Sequence, residues 1–355
     1  MSGVMRGSGW VRGPLGTCQS FSASTSAPRL LAGRNRPRQL PHCAIRTPSR
    51  CSECMSLWHE GHVIGVASSS VLIRTTVVVS RVLSRGALRW PHTGLMRAEE
   101  PGSAFLASPP PLLLAHRGGA GYPPIRGIEN TLLAFRTAVD LGSTYLETDV
   151  HASRDGVAVV THDAWLQRLC GVAASVSDLD WAALARLRVG GREPLPRLEE
   201  LLAELPHARV NIHIKSDDAV MPTLRAVAEA QAQRRVCLAT FSDRRMRRIR
   251  ALCGPDVATA CSRVEVAMLM VGALGELRRR NGASVAQVPV RTRGIPVLTA
   301  GLIRRAHGMG MQVHVWTIDD PVAARALLAR GVDGLITDRP DLLLPVVGTV
   351  RGRAG

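Results

Sequence analysis

Between residues 112 and 337 the chain alternates short apolar runs with longer amphipathic ones, and nothing else in it restricts the fold so strongly. The apolar runs are Leu112–His116, Tyr145–Val150, Val210–Lys215, Val236–Thr240, Val257–Cys261, Val285–Val288, Gln312–Trp316 and Gly334–Thr337. Helix-like segments separate most of them: Thr131–Leu141, Leu198–Leu205, Ala219–Gln231, Ser242–Leu252, Leu302–Gly308 and Pro321–Ala329. Gly142, Gly254, Gly310 and Gly331 stand where helices should stop, because glycine adopts the left-handed terminating conformation without a Cβ clash. Eight strands at this spacing predict an α/β fold, a closed (β/α)8 TIM barrel. A doubly wound open sheet is the alternative, but no Gly-x-Gly-x-x-Gly and no phosphate-loop lysine follows the first strand. One further run, Val157–His162, follows an Asp155-Gly156 turn and reads as a hairpin partner of the second strand.

Composition divides the 355 residues. The first hundred carry thirteen arginines against four glutamates, with scattered Ser, Pro and Gly and little periodicity. Residues 1–108 are therefore expected to be an Arg/Ser-rich extension, disordered or upstream of the true start, residues 109–347 the barrel, and 348–355 a tail. Arg74, Arg81 and several serines make Val63–Leu83 too polar for a membrane span. No continuous apolar core with a cleavage site marks a secretory signal, so the expected location is cytoplasmic. Cys51-x2-Cys54 followed by His59 and His62 has zinc-like spacing but lacks the separate knuckle or helix of a finger. Cys170, Cys237, Cys253 and Cys261 read as small core hydrophobes.

The net charge of +17 invites a nucleic-acid partner, yet the first hundred residues hold more than half of it. Aromatic residues, at 3%, leave few stacking platforms, so no specific nucleic acid is expected. A basic field suits a phosphorylated small molecule equally well.

Polar groups collect at the C-terminal ends of the predicted strands, the rim where this fold places its chemistry. Glu147 and Asp149 lie two apart on a strand and face the same way. Burying two carboxylates together costs several kcal/mol unless each is paired or both hold a cation, which points to a metal site of hard oxygen ligands. His213 and Lys215 share one face of the third strand, His213 as a ligand or proton-handling group and Lys215 as a charge for a phosphate oxygen. Lys215 is also the one lysine among 45 basic residues. His116 and His162 are the groups of this cluster whose unperturbed pKa is near neutrality, and two histidines would meet a phosphodiester's need for one group to activate the attacking oxygen and another to protonate the departing alkoxide. Arg117 suits bidentate phosphate binding, and Gly118-Gly119 would let backbone approach a ligand. Asp163 is placed to orient its histidine, and Trp316 to wall a pocket. Asp178 and Asp338 read as cap or turn residues, and Arg244, Arg245, Arg247, Arg248 and Arg250 as a solvated helix face.

Taken in order, HRGG at 116–119, ENTLLAF at 129–135, ETDVHASRDG at 147–156, VTHD at 160–163, NIHIKSD at 211–217, VHVWTIDDP at 313–321 and GVDGLITDRPD at 331–341 resemble the glycerophosphodiester phosphodiesterase family. The resemblance covers roughly residues 112–346 and implies a TIM-barrel hydrolase that converts glycerophosphodiesters to sn-glycerol 3-phosphate and an alcohol. It implies His116 and His162 as general acid and base, Arg117 and Lys215 as the phosphate grip, and one divalent metal ion, Ca2+ or Mg2+, at Glu147 and Asp149. Glu129 would be a further ligand or a carboxylate beside the metal. Where the family usually carries a carboxylate this chain has His213, which removes a negative charge and softens the site toward Mn2+ or Zn2+. Two other readings stand beside this one. They are a phospholipase D-like or lysophospholipid-cleaving barrel, and a catalytically impaired basic scaffold or nucleic-acid-binding protein.

Overall fold

The computed structural model describes residues 104–280 and 282–354; the Cys51/Cys54/His59/His62 spacing and the Val63–Leu83 run lie outside these residues. The strands of the main sheet are β1 (Leu112–His116), β2 (Tyr145–Ala152), β3 (Ala158–Val160), β4 (Arg209–Ile214), β5 (Val236–Ala239), β6 (Ala258–Thr259), β7 (Val285–Pro289), β8 (Gln312–Trp316) and β9 (Gly334–Thr337). Eight of them pair in parallel in the order β6-β5-β4-β2-β1-β9-β8-β7. The ring closes between β6 and β7 through an Ala260–Val285 bridge, where Cys261 N–H donates to Val285 O (2.9 Å) and Ser284 N–H to Thr259 O (2.8 Å). The fold is the expected TIM barrel. As predicted, β3 is an antiparallel hairpin partner of β2, with Val150 opposite Val160.

The helices that matter for the site are α1 (Leu132–Asp140), α2 (Gln167–Cys170), α3 (Leu198–Glu204), α4 (Val220–Glu229), α5 (Asp243–Leu252), α6 (Arg263–Val271), α7 (Leu274–Arg280), α8 (Ala300–His307), α9 (Pro321–Ala329) and α10 (Pro340–Ala354). Strand alternation sorts the side chains. Leu146, Val150, Ile212 and Leu238 face outward against Leu201, Leu224 and Val227 of α3 and α4. Val313, Val315 and Leu335 face Leu302, Ile303, Leu327 and Leu343 on the other half of the ring. Each fully buried Leu, Ile or Val of this kind stabilises the fold by about 1.5–3 kcal/mol. Leu112, Leu114, Tyr145, Cys237, Ala258, Val285 and Ile336 point inward. Phe105 closes that interior: its ring meets Tyr145 edge-on at 5.3 Å, and the Tyr145 hydroxyl donates to Phe105 O (2.8 Å).

Two expected boundaries move. Phe105 is fully buried in the barrel, so the folded body starts before residue 109. At the other end α10 runs through residues 348–354, and Arg351 Nε and Nη2 donate to Pro111 O (3.0 and 2.7 Å), so the expected tail is a helix anchored to the barrel. The arginines of α5 are also not all solvated. Arg245 donates to Ile214 O and Thr240 Oγ1, and Arg250 pairs with buried Glu265 while donating to Ala260 O, so both clamp α5 and α6 to strand ends. Residues 163–197, where only a helix-like segment near Asp178 was expected, pack Leu166, Leu169, Val176, Leu184 and Val189 into a small core shared with Ile125, Ile128, Ala134 and Val159. Cys237, Cys253 and Cys261 are buried free thiols whose pKa values burial pushes up. Among the described residues no helix is long and apolar enough to cross a membrane.

Candidate active site

Strand register assembles the site before any loop does. His116 lies opposite Glu147 between β1 and β2, and Asp149 opposite His213 between β2 and β4. After His116 the chain turns through three left-handed residues, Arg117 (φ 51°), Gly118 (φ 84°) and Gly119 (φ 87°). A Cβ on Gly118 would stand 2.8 Å from Ala134 Cβ, and one on Gly119 2.8 Å from Pro340 Cγ. The glycine pair thus allows close packing against α1 and α10. The turn aims Arg117 back across β2: its N–H donates to Glu147 O (2.9 Å), Nη1 to Glu129 Oε1 (2.9 Å), and Nε lies 3.3 Å from Asp149 Oδ2.

Each candidate acid–base histidine has a carboxylate at Nδ1. His116 Nδ1 is 2.7 Å from Asp338 Oδ1, and His162 Nδ1 is 2.6 Å from Asp163 Oδ1. Such a partner holds the proton on Nδ1 and leaves Nε2 for chemistry. Asp338 is itself fixed, its N–H donating to Asp319 Oδ1 (2.8 Å), which also accepts from Thr337 Oγ1 (2.9 Å). Its reading as a turn residue is incomplete; 222 residues separate it from His116, and no local pattern announces the pairing. Arg168 of α2 is a second residue that sequence reasoning missed. Its Nε donates to Asp163 Oδ2 (2.6 Å), and Nη2 and Nη1 donate to Glu129 Oε1 (2.7 Å) and Oε2 (3.2 Å). Asn130 is a third, its Nδ2 donating to Asp149 Oδ2 (3.2 Å) while Oδ1 accepts from Thr148 Oγ1 (2.9 Å). The only sequence trace of these roles is the adjacency of Asn130 to Glu129.

Glu147, Asp149 and His213 bring one donor atom each to within 4.8 Å of one another. Twice a metal–oxygen bond of about 2.4 Å spans that distance, so a single ion can touch all three. Their electrostatics agree with such a use. Burial, then the charge of Asp149, push the Glu147 carboxyl well above the ordinary range. Asp149 stays low despite burial, chiefly because Lys215 Nζ lies 2.8 Å from its Oδ1, with His162 and Arg117 assisting. Burial, then Lys215, hold His213 well below the usual histidine value, leaving a neutral imidazole with a lone pair to offer. Two carboxylates that cannot both ionise unaided, beside a neutral imidazole, form a set a divalent cation would complete. Glu129 is not one of the three; both its oxygens accept from arginines.

The two histidines are pushed apart. Burial works against protonation of His116, but Glu147 and then Asp338 outweigh it and raise its pKa. At His162 burial prevails over Asp163 and the pKa falls. Trp316, at the end of β8, joins the site through Phe241, whose ring is 5.8 Å from the indole and 4.5 Å from the His213 ring. His314, on the same face of β8, is fully buried and its pKa is pushed down to about 3 by burial, so it is a neutral core group.

A closed parallel barrel with two carboxylate-bound histidines and, at its C-terminal rim, a Glu/Asp/His cluster of a geometry that could hold a cation fits a barrel phosphodiesterase-type hydrolase. Residues 116–342 match the Glycerophosphoryl diester phosphodiesterase family, and the chain belongs to it. It is 39% identical over 241 residues to "Probable glycerophosphodiester phosphodiesterase 2" of Mycobacterium tuberculosis (strain ATCC 25618 / H37Rv), a match spanning 66% of this chain and 90% of that one. It is 36% identical over 133 residues to lysophospholipase D of Mus musculus, covering 34% of this chain and 40% of that protein. In fold it is similar to an Oleispira antarctica phosphodiesterase solved with the product sn-glycerol-3-phosphate (TM-score 0.59, 20% identity, 69% of this chain and 99% of that one).

Proposed function

We propose that this chain hydrolyses glycerophosphodiesters to sn-glycerol 3-phosphate and an alcohol, with His116 and His162 as acid and base and a divalent metal ion at Glu147, Asp149 and His213. The observation that carries this reading is the pair of carboxylate-bound histidines facing the Glu147/Asp149/His213 cluster on neighbouring strands, within the family. One Nε2 accepts the proton of the attacking hydroxyl and the other donates a proton to the departing alkoxide. Arg117 and Lys215 grip the phosphate oxygens; both already lie against Asp149, so the anion would enter between cations held in place by carboxylates. Glu129, tied to Arg117 and Arg168, orients the guanidinium and is not spent on metal. Trp316 walls the pocket beside the phosphate site. When bound, the ion supplies Lewis-acid stabilisation of charge on the phosphoryl group. His213 biases the site toward softer ions, so Mn2+ or Zn2+ is expected to support turnover better than Ca2+ or Mg2+.

Turnover of a glycerophosphodiester measured in EDTA, then with each of these four ions, tests the reading. No turnover with any ion would overturn it. A second reading, release of the head group from a lysophospholipid, is favoured by the likeness to the mouse lysophospholipase D. Lysophosphatidylcholine cleaved faster than glycerophosphocholine would select it.

A further inference from the structure

The rim beyond the Glu147/Asp149/His213 cluster is walled by Phe241 and Trp316, and Phe241 carries a cation. Phe241, in the loop after β5, is 39% exposed and stands edge-on to His213 with ring centroids 4.5 Å apart. On that ring lies the guanidinium of Arg263, the first residue of α6, 4.7 Å from the centroid. A single ring, that of Phe241, therefore separates Arg263 from the candidate metal ligand His213. Among the described residues no carboxylate lies within ion-pairing distance of it. The nearby acids are engaged otherwise: Glu265 with Arg250 (2.5 Å), Asp243 with Arg247 (3.3 Å) and the Ser262 hydroxyl (2.9 Å), and Asp217 with Arg245 (2.7 Å). Arg245, paired with Asp217, donates to Thr240 Oγ1 immediately before Phe241 (3.0 Å) and so fixes the loop that carries the ring.

A quaternary or primary ammonium head group is best received by an open aromatic face. Here the Phe241 face already holds a cation, and a second cation beside it would meet like-charge repulsion. An anionic substituent meets the opposite: a guanidinium without a carboxylate partner among the described residues, held over the Phe241 ring and able to bind phosphate or carboxylate oxygens in a fork. We propose that Arg263, seated on Phe241, is a specificity-determining residue that selects glycerophosphodiesters whose alcohol bears a negative charge over those bearing choline or ethanolamine. This rests on the hydrolysis proposed above and names its substrate class.

The test compares kcat/KM for glycerophosphoinositol 4-phosphate and glycerophosphocholine in the full chain, with the best-supporting metal, for the natural protein, Arg263→Gln and Arg263→Glu. The natural protein should prefer the anionic diester by about tenfold or more, the range for one partly screened charge pair. Arg263→Gln should erase most of that preference and Arg263→Glu should invert it. Raising salt should narrow the preference of the natural protein, because the charges are near the surface. Equal use of both diesters by the natural protein, or a ratio unmoved in both variants, overturns the selectivity while leaving hydrolysis standing. No hydrolysis of either diester overturns the reaction itself, and the selectivity with it.

Discussion

His116 owes its orientation to a residue that never needs to touch substrate. With Nδ1 2.7 Å from Asp338, the ring has one favoured tautomer, and its protonated form is stabilised by a carboxylate that Asp319 and Thr337 hold still. Asp338→Asn keeps the shape and removes the charge, so kcat is expected to fall by about 10²-fold, with KM changing little, as for loss of a general acid–base contribution. Steady-state kinetics at saturating metal would measure it, and an unchanged kcat would remove Asp338 from the machinery. Arg168 acts on two carboxylates at once. Against burial, Arg168 and Arg117 keep the Glu129 pKa low, and His162 and Arg168 do the same for Asp163. A carboxylate with a depressed folded pKa contributes stability that is complete above its unfolded value and is lost as pH falls. The unfolded values are about 4, so the melting-temperature loss in Arg168→Ala should be greatest above about pH 5 and shrink toward pH 3. Melts of both proteins across that range would decide; an equal loss at both ends would show that the arginine works some other way.

Among the elements, β2 and β9 set the site's geometry. Glu147 and Asp149 face the interior because strand alternation puts Leu146 and Val150 on the helix side, so a one-residue slip would replace the two carboxylates with Leu146 and Thr148 or with Thr148 and Val150. β9 begins at Gly334, whose hydrogen leaves room for the His314 ring: a Cβ there would stand 2.6 Å from His314 Cδ2. With both residues buried, Gly334→Ala should destabilise the protein by about 1–3 kcal/mol through overpacking. Urea denaturation would show it as a lower midpoint at constant slope. An unshifted midpoint would mean that the ring turns aside without cost.

For the protein as a unit, the proposed metal site at the buried carboxylate pair would link ion binding to stability. Any ion bound by the folded state alone adds RT ln(1 + [L]/Kd), about 2.7 kcal/mol at a hundredfold excess over Kd. In a domain of this size that raises the melting temperature by roughly 5–10 °C. The rise is expected on adding Mn2+ or Zn2+ to EDTA-treated protein and should vanish in Asp149→Asn, which lacks one charged donor. A rise of equal size in that variant would place the ion elsewhere.

Much of this was legible along the chain because the signals are local. All eight barrel strands and six of the helices follow from apolar spacing and terminating glycines, which report on hydrogen bonding and burial within a few residues. Glu147, Asp149, His213 and Lys215 were visible for the same reason, since a polar residue at a strand's end breaks an apolar pattern. Closure of the ring made the other assignments. It brought Asp338 to His116 across 222 residues, turned two arginines of α5 into clamps, set Phe105 into the barrel and anchored Arg351 to its outside, both beyond the expected boundaries. It also gave residues 163–197 a core, and with it placed Arg168 between Glu129 and Asp163. Such pairings carry no sequence period, because hydrogen bonds and ion pairs between distant residues depend on where the backbone returns and not on what lies beside each residue in the chain.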